Sequence, residues 1–394
     1  MQMSFRIITM IAALCAAPSV AYTKTCGGNF NGWMTALKVE AVSKGHTKSE
    51  VNKFFRSARI DPKVLKADRS QGVFRLTFSE FAGRAISSNR MNNGKKNMKK
   101  YKSTFAKAQQ KYGVQPAVLT AFWALETDFG AVQGEYNTLN SLITLSHDCR
   151  RPDLFRPQIF AALELWKRGD FDPVKTKGAW AGEIGMVQML PEDILNRGVD
   201  GDGDGRVRLK TSAPDALMTG ARLLKDLGWT ANQPWLVEVT VPKNLNWADT
   251  GLDKTRSVSD WTGKGVKARS GKLPKRNLQA ALMLPQGRKG PAFLAMPNFF
   301  VYFEWNKSLV YVTTAAYFAT RLDGAPVFNK GTPDPAFNAS AMKSLQKKLK
   351  VRGHDVGKVD GILGAKTRAA VQKEQVRLGL PADAWPTAAL AKKL

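Results

Sequence analysis

Glu126 is the residue whose type and setting most clearly suggest chemistry. It follows an almost wholly apolar stretch and lies near the end of a predicted helix, residues 115–130. Burial and the negative end of the helix dipole both disfavour an ionised carboxyl, so we expect a pKa above the roughly 4.3 of a free Glu. A carboxyl that stays protonated near neutral pH can donate a proton to a glycosidic oxygen. The alternative is a Glu that frays into solvent, with Asp128 on a different face of the helix.

A segment rich in small residues, 179–191, is the second candidate. It reads Ala-Trp-Ala-Gly-Glu-Ile-Gly-Met-Val-Gln-Met-Leu-Pro. Its glycines and alanines allow close approach of the backbone. Gln188 offers a neutral donor and acceptor between apolar neighbours, which suits a carboxyl group or a sugar amide. The pattern is weakly specific when taken alone.

Alternating aspartates form the third candidate. Asp200, Asp202 and Asp204 are followed by Gly205, the spacing that begins an EF-hand calcium loop. The usual Glu at the twelfth place is missing, and Asp215 lies slightly further on, where it is able to close such a site. The spacing predicts a structural metal site, and the alternative is an Asp/Gly turn without a metal.

The elements that must position these residues are mainly helices. Helical spacing covers residues 29–66, 79–112, 137–145, 155–167, 190–197, 215–227 and 310–322. Strand-like patterns occupy residues 235–241, 280–285 and 299–303, with a loop predicted over residues 262–275. The sequence therefore predicts a helical body, residues 22–325, with a small β-containing insertion at about 232–304.

The C-terminal part of the chain has the pattern of a separate unit. Prolines and glycines over residues 326–340 have the composition of a linker. Residues 341–394 follow as a predicted helix, glycine turn, helix, turn and short helix. The most specific part of this unit is Asp360-Gly361, Gly364 and Thr367-Arg368.

The N-terminus and the charge restrict the location and the function. Residues 1–21 carry Arg6, a short apolar core and Ser-Val-Ala before the cut, which is typical of a signal peptide and not of a lipoprotein signal or a membrane span. We therefore expect an exported, periplasmic protein, in which Cys26 and Cys149 are either disulfide-bonded or two buried thiols. With 60 Lys+Arg against 32 Asp+Glu the net charge is +28, which in an exported protein favours anionic wall polymers over nucleic acid.

Two motifs together carry a resemblance. Glu126-Thr-Asp-Phe-Gly, followed by Ala-Gly-x-x-Gly-x-x-Gln-x-x-Pro, resembles the lytic murein transglycosylase B family. The resemblance runs from about residue 29 to residue 322 and implies a lysozyme-like helical fold with Glu126 as its single catalytic carboxyl. Ala179 departs from the family, which often has a Ser at this position. The C-terminal unit similarly resembles a three-helix peptidoglycan-binding domain, in which Glu374 replaces an expected Phe.

The resemblance also assigns residues to binding. It implies substrate contacts by Gln188, Arg151, Phe155, Trp305, Asn306 and Tyr311. Phe155 and Trp305 replace residues that are often Tyr, so stacking is kept while a hydroxyl is lost. It further implies a structural Ca²⁺ or Na⁺ held by Asp200, Asp202, Asp204, the Arg206 carbonyl and Asp215, and no cofactor for catalysis.

The implied reaction is cleavage of peptidoglycan at the β-1,4 bond after N-acetylmuramic acid. Glu126 would donate a proton and then take one from the sugar's own 6-hydroxyl, which closes a 1,6-anhydro ring. A hydrolytic muramidase is an alternative, and it needs a second carboxylate, for which Glu183 and Asp128 are the nearest candidates. A non-catalytic wall-binding scaffold and, on charge alone, a nucleic-acid binder are weaker interpretations of the same sequence. We expect a monomer whose partner is the glycan strand.

Overall fold

A computed structural model describes residues 26–70 and 76–394 of the chain. The predicted signal peptide, residues 1–21, lies outside these residues. Within them, every helix is too short or too polar to cross a membrane. The fold is mainly helical with a small sheet, as the sequence predicts.

Fourteen helices of the described residues build the body and its insertion. They are α1 (Phe30–Ser43), α2 (Lys48–Phe54), α3 (Pro62–Arg69), α4 (Phe78–Ala85), α5 (Ser88–Lys100), α6 (Lys102–Tyr112), α7 (Pro116–Thr127), α8 (Thr138–His147), α9 (Pro152–Lys167), α10 (Pro191–Arg197), α11 (Ala213–Asp226), α12 (Val258–Gly263), α13 (Pro297–Trp305) and α14 (Leu309–Leu322). Side-chain caps begin several of them. Thr47 with Glu50 and Thr77 with Glu80 form capping boxes at α2 and α4.

Helix α7 lies at the centre of the body. Pro116 occupies its first turn, where a missing N–H costs no hydrogen bond, and its residues from Ala117 to Ala124 are all buried. It packs against α5, α6, α11 and α14. A helix that is apolar on every side must be enclosed in this way, so the sequence prediction of a buried helix before Glu126 is confirmed.

The sheet is antiparallel and has the strand order β4-β6-β7-β3-β5. Its strands are β3 (Leu236–Thr240), β4 (Thr255–Ser257), β5 (Lys267–Ala268), β6 (Gln279–Met283) and β7 (Ala292–Ala295), and a separate pair joins β1 (Tyr136–Asn137) to β2 (Lys177–Gly178). Val237 lies opposite Leu294 in the central pair. The strands predicted over residues 235–241 and 280–285 are therefore confirmed, while β5 lies inside the stretch predicted as loop.

One strand prediction is wrong. Residues 299–303 form part of α13, which Pro297 begins. Phe299, Val301 and Tyr302 are buried, and Phe299 contacts both Tyr302 and Phe303. A short apolar run lacks the polar positions that distinguish the two periodicities, so it fits a buried helix as well as a strand.

Three helices form the C-terminal unit: α15 (Ala339–Val351), α16 (Ala365–Arg377) and α17 (Ala388–Lys393). Their buried residues form a core of their own. The unit also contacts the body, because the Gln372 amide donates to the Thr250 carbonyl at 2.9 Å and the Arg288 N–H donates to Asp383 at 3.0 Å. The segment between the two units packs closely as well, with Phe328 buried against Phe78.

A disulfide joins Cys26 to Cys149. These cysteines are therefore bonded to each other and are not two buried thiols. The disulfide ties the start of the described chain to the loop that precedes α9.

Candidate active site

Glu126 lies in the last turn of α7, where the chain changes direction sharply. Asp128 and Phe129 both have left-handed backbone conformations, with φ of 50° and 63°, and they end the helix. The Thr127 hydroxyl donates to the Met186 carbonyl at 2.6 Å, which joins the end of α7 to the Gln188 segment. The Asp128 carboxylate pairs with Arg90 at 3.0 Å, on the opposite side from Glu126.

Two side chains donate hydrogen bonds to the same oxygen of Glu126. The indole N–H of Trp305, at the end of α13, donates to Oε1 at 3.0 Å, and the Tyr311 hydroxyl, from α14, donates to it as well. Burial raises the pKa of Glu126 to about 7; the two donors oppose this shift and the charge of Glu183 adds to it. The carboxyl therefore holds its proton close to neutral pH, as the sequence predicts.

Gln188 lies in a tight turn beside Glu126. Its backbone is left-handed (φ 52°), and its amide Nε2 donates to the Gly185 carbonyl at 2.7 Å. Among residues 26–70 and 76–394, no group donates to its Oε1. The turn requires glycine at position 178, because a Cβ there would lie 2.0 Å from the Glu183 carbonyl oxygen. Gln188 is thus held by its amide nitrogen, and its oxygen is left to accept a hydrogen bond.

Arg151 and Phe155 lie together at the start of α9. The Arg151 guanidinium is 5.0 Å from the centre of the Phe155 ring. Asp68, which is 2% exposed, forms ion pairs with both Arg151 and its neighbour Arg150. Sequence reasoning missed Asp68, because it lies on α3 with no local motif around it.

A cleft of about 1170 Å³ brings most of the predicted binding residues together. Its lining includes Arg151, Phe155, Gln188, Trp305 and Asn306. Glu126 and Tyr311 contact this lining through Trp305. The cleft continues to the C-terminal unit, whose contribution includes Ile362, Leu363 and Trp385.

Two of these residues act differently from the sequence expectation. Trp305 was expected to stack on sugar, but its ring stacks on Phe122 with centroids 4.2 Å apart and its N–H faces Glu126. The Asn306 carboxamide accepts a hydrogen bond from the Ser308 N–H at 2.9 Å, next to the start of α14. Trp305 and Tyr311 therefore hold the acid in place.

The three aspartates of the predicted metal loop lie close together. Ligand atoms of Asp200, Asp202 and Asp204 are all within 4.8 Å of one another. Hydrogen bonds from backbone N–H groups, foremost that of Gly205, lower the pKa of Asp200, so it is ionised at neutral pH. Three carboxylates of this kind suit a hard cation such as Ca²⁺.

Asp215 does not join this group, contrary to the expected ligand set. It is fully buried, and its carboxylate accepts hydrogen bonds from the backbone N–H groups of Gly201, at 2.8 Å, and Arg208, at 2.7 Å. It fastens the loop to α11 from behind. The sequence spacing places Asp215 near the loop but does not reveal that its oxygens are taken by the backbone.

Comparisons with known proteins extend this geometry. Residues 29–320 match the family described as Transglycosylase SLT domain, and residues 338–394 match the Putative peptidoglycan binding domain. The chain is 28% identical over 229 residues to the membrane-bound lytic murein transglycosylase B of Escherichia coli. That match covers 57% of this chain and 62% of the relative, so the chain spans less than two thirds of its length.

Solved structures cover more of the chain. Two crystal structures of SltB3 from Pseudomonas aeruginosa, one in complex with NAG-anhNAM-pentapeptide and one with NAG-NAM-pentapeptide, match it with TM-scores of 0.85. Each is 33% identical and covers 93% of this chain, with 99% and 100% of the other chains matched. The E. coli Slt35 in complex with calcium, at 24% identity and a TM-score of 0.65, shares the fold; 76% of this chain and 96% of that one are covered. The chain belongs to the lytic murein transglycosylases, with a peptidoglycan-binding type of domain at its C-terminus.

Proposed function

We propose that this protein cleaves the β-1,4 bond between N-acetylmuramic acid and N-acetylglucosamine in peptidoglycan and releases 1,6-anhydromuramic acid ends. The observation that carries this proposal is the partly buried Glu126, whose pKa of about 7 leaves a proton to donate. The SltB3 structures support the choice of substrate, because the ligands in their complexes are NAG-NAM and NAG-anhNAM peptides.

The hydrogen bonds of Glu126 suggest which oxygen does the chemistry. Oε1 accepts from both Trp305 and Tyr311, so the proton belongs on Oε2. Oε2 would protonate the glycosidic oxygen as the bond to the muramic acid C1 breaks. The resulting carboxylate would then take the proton of the 6-hydroxyl, whose oxygen bonds to C1, so that no water is consumed.

The remaining predicted residues would hold the strand. The free Oε1 of Gln188 would accept from an acetamide N–H or a hydroxyl of the sugar. Arg151 is kept at the cleft by Asp68 and would face a carboxylate of the substrate. Phe155 and Asn306 would complete the contacts along the same wall.

A hydrolytic muramidase remains the main alternative, and it needs a second carboxylate near the bond. Asp128 is engaged by Arg90 on the other side of the helix end. Of the two candidates, this leaves Glu183.

Product masses separate the two reactions. Purified peptidoglycan is digested with the wild-type protein and with Glu126→Gln, and the soluble products are weighed by mass spectrometry. We expect products one water lighter than reducing ends from the wild type, and a loss of about 10²- to 10⁴-fold in rate for the variant. Reducing ends from the wild type would overturn the transglycosylase proposal.

We also propose that the protein acts in the periplasm as a monomer and that residues 341–394 retain it on the wall. The Cys26–Cys149 disulfide supports an oxidising compartment. The retention is tested by sedimentation with purified sacculi, in which removal of the unit should leave more protein in the supernatant. Thermal unfolding of the shortened chain is the control, because the unit packs on the body.

A structural Ca²⁺ in the loop of Asp200, Asp202 and Asp204 is a further proposal, and the three clustered carboxylates support it. The Arg206 carbonyl would add a ligand. Since bound Ca²⁺ stabilises only the folded state, it should raise the unfolding midpoint, and Asp202→Asn should remove the effect. An unchanged midpoint in the wild type would contradict the site.

A further inference from the structure

A second carboxyl, Glu183, lies in the cleft near Glu126. It lines the same cavity as Gln188 and Trp305. One of its oxygens, Oε2, is buried and has no hydrogen-bond partner among residues 26–70 and 76–394. A buried carboxyl oxygen without a partner costs stability, so its presence in an otherwise well-paired turn calls for an explanation at the level of function.

The turn around Glu183 keeps this carboxyl in place. Its backbone carbonyl accepts from the Ala179 N–H at 2.9 Å, and an isolated bridge joins the next residue, Ile184, to Met189. Gly182 has a φ of 89°, and a Cβ there would lie 2.4 Å from the Leu142 side chain. The segment is therefore rigid, and the carboxyl cannot swing out into solvent without a change of the backbone.

Charges alternate through this part of the site. Asp68 pairs with Arg151, the charge of Arg151 favours the ionised form of Glu183, and the charge of Glu183 favours the protonated form of Glu126. Burial raises the pKa of Glu183, and backbone N–H groups and Arg151 oppose this. Because the charge of Glu183 is among the causes that raise the pKa of Glu126, Glu183 is the member of the pair that ionises first.

We propose that Glu183 is a second catalytic carboxylate of this enzyme, which stays ionised during the reaction. Its Oε2 accepts a hydrogen bond from the bound sugar, and its negative charge stabilises the positive charge that develops on the sugar ring as the glycosidic bond breaks. It transfers no proton, so Glu126 remains the acid and the base. This inference rests on the proposed function and adds to it a charge that the single-carboxyl scheme lacks.

The test removes the charge and keeps the shape. In Glu183→Gln we expect kcat to fall about 10- to 100-fold with a KM within about threefold of the wild type, because the charge acts in the transition state. The alkaline limb of the pH profile should move to lower pH, since Glu126 loses a neighbouring negative charge. Glu135→Gln, on an exposed Glu that pairs with Lys177, is the matched control and should leave both quantities unchanged.

A second pair of variants separates charge from packing. Glu183→Asp keeps the charge and should retain more activity than Glu183→Ala, a comparison that still stands if the Gln variant does not fold. Wild-type kcat in Glu183→Gln, or equal losses in the Asp and Ala variants, would overturn the inference. Failure of the proposed function is recognised separately, from reducing ends among the wild-type products.

Discussion

Two glutamates of this molecule differ in their surroundings far more than in their chemistry. Glu126, at the catalytic cleft, meets only neutral donors, and burial raises its pKa to about 7. Glu374, in the C-terminal unit, is 4% exposed; burial alone would raise its pKa, but hydrogen bonds from Arg377 and His354 and the charges of Arg377 and Arg352 bring it to about 2. Burial with neutral donors therefore yields an acid, and burial with cations yields a structural anion.

The Glu374 cluster also explains a departure in the sequence. The resemblance leads one to expect a Phe at this position of α16, and an unpaired Glu would be costly there. His354 contacts one oxygen at 2.7 Å, and Arg377 donates to the second oxygen at 2.8 Å. The expected apolar contact is thus replaced by an ion cluster.

The largest effect on stability is expected from Glu374→Gln. Since the folded-state pKa is below that of the unfolded chain, the ionised Glu stabilises the fold above about pH 4.5, and this stabilisation is lost as the pH falls towards about 2. The variant should lower the free energy of unfolding by about 2–3 kcal/mol at pH 7. Urea unfolding at pH 7 and at pH 3 checks this, and equal losses at both values would break the comparison.

Glu126→Gln should act in the opposite direction. A raised folded-state pKa favours the folded protein below about pH 4.5, and this contribution is lost as the pH rises through about 7. Gln carries no charge at any pH, so the variant should be more stable than the wild type by about 1–3 kcal/mol at pH 8. At pH 5 most of this gain should vanish. A variant that is less stable than the wild type at pH 8 would show that Glu126 is not strained by its burial.

Tyr311→Phe sharpens the comparison with the smallest change. The Tyr311 hydroxyl lowers the pKa of Glu126, so its removal should raise that pKa and move the alkaline limb of kcat/KM to higher pH by about half a unit to one unit. Tyr317→Phe, on the same helix, is the control, because its hydroxyl accepts from the Phe328 N–H and not from the site. A shift to lower pH, or equal shifts in both variants, would contradict the role given to Tyr311.

Local patterns predicted the parts of the molecule that depend on local sequence. The apolar run before Glu126 indicated a buried helix, and the Asp-Gly alternation indicated the loop of Asp200, Asp202 and Asp204. The aromatic run 299–303 was predicted as a strand, because a run that is apolar throughout carries no periodicity.

Contacts between distant segments explain the remaining differences. Trp305 and Tyr311 reach Glu126 from α13 and α14, which are remote in sequence, so their hydrogen bonds leave no local pattern. Asp68 supports Arg151 from another helix for the same reason. Asp215 was expected at the metal, but the backbone of the loop itself takes its oxygens. Such pairings depend on how helices pack, which single-sequence spacing does not encode.

A direct titration of Glu126 tests the central claim. The side-chain carboxyl carbons are labelled with ¹³C, and the Glu126 signal is assigned by its absence in Glu126→Gln. The account predicts a midpoint near pH 7 in the free enzyme. A midpoint near the ordinary value of 4.5 would mean that the carboxyl is ionised at neutral pH and cannot be the acid that begins the reaction.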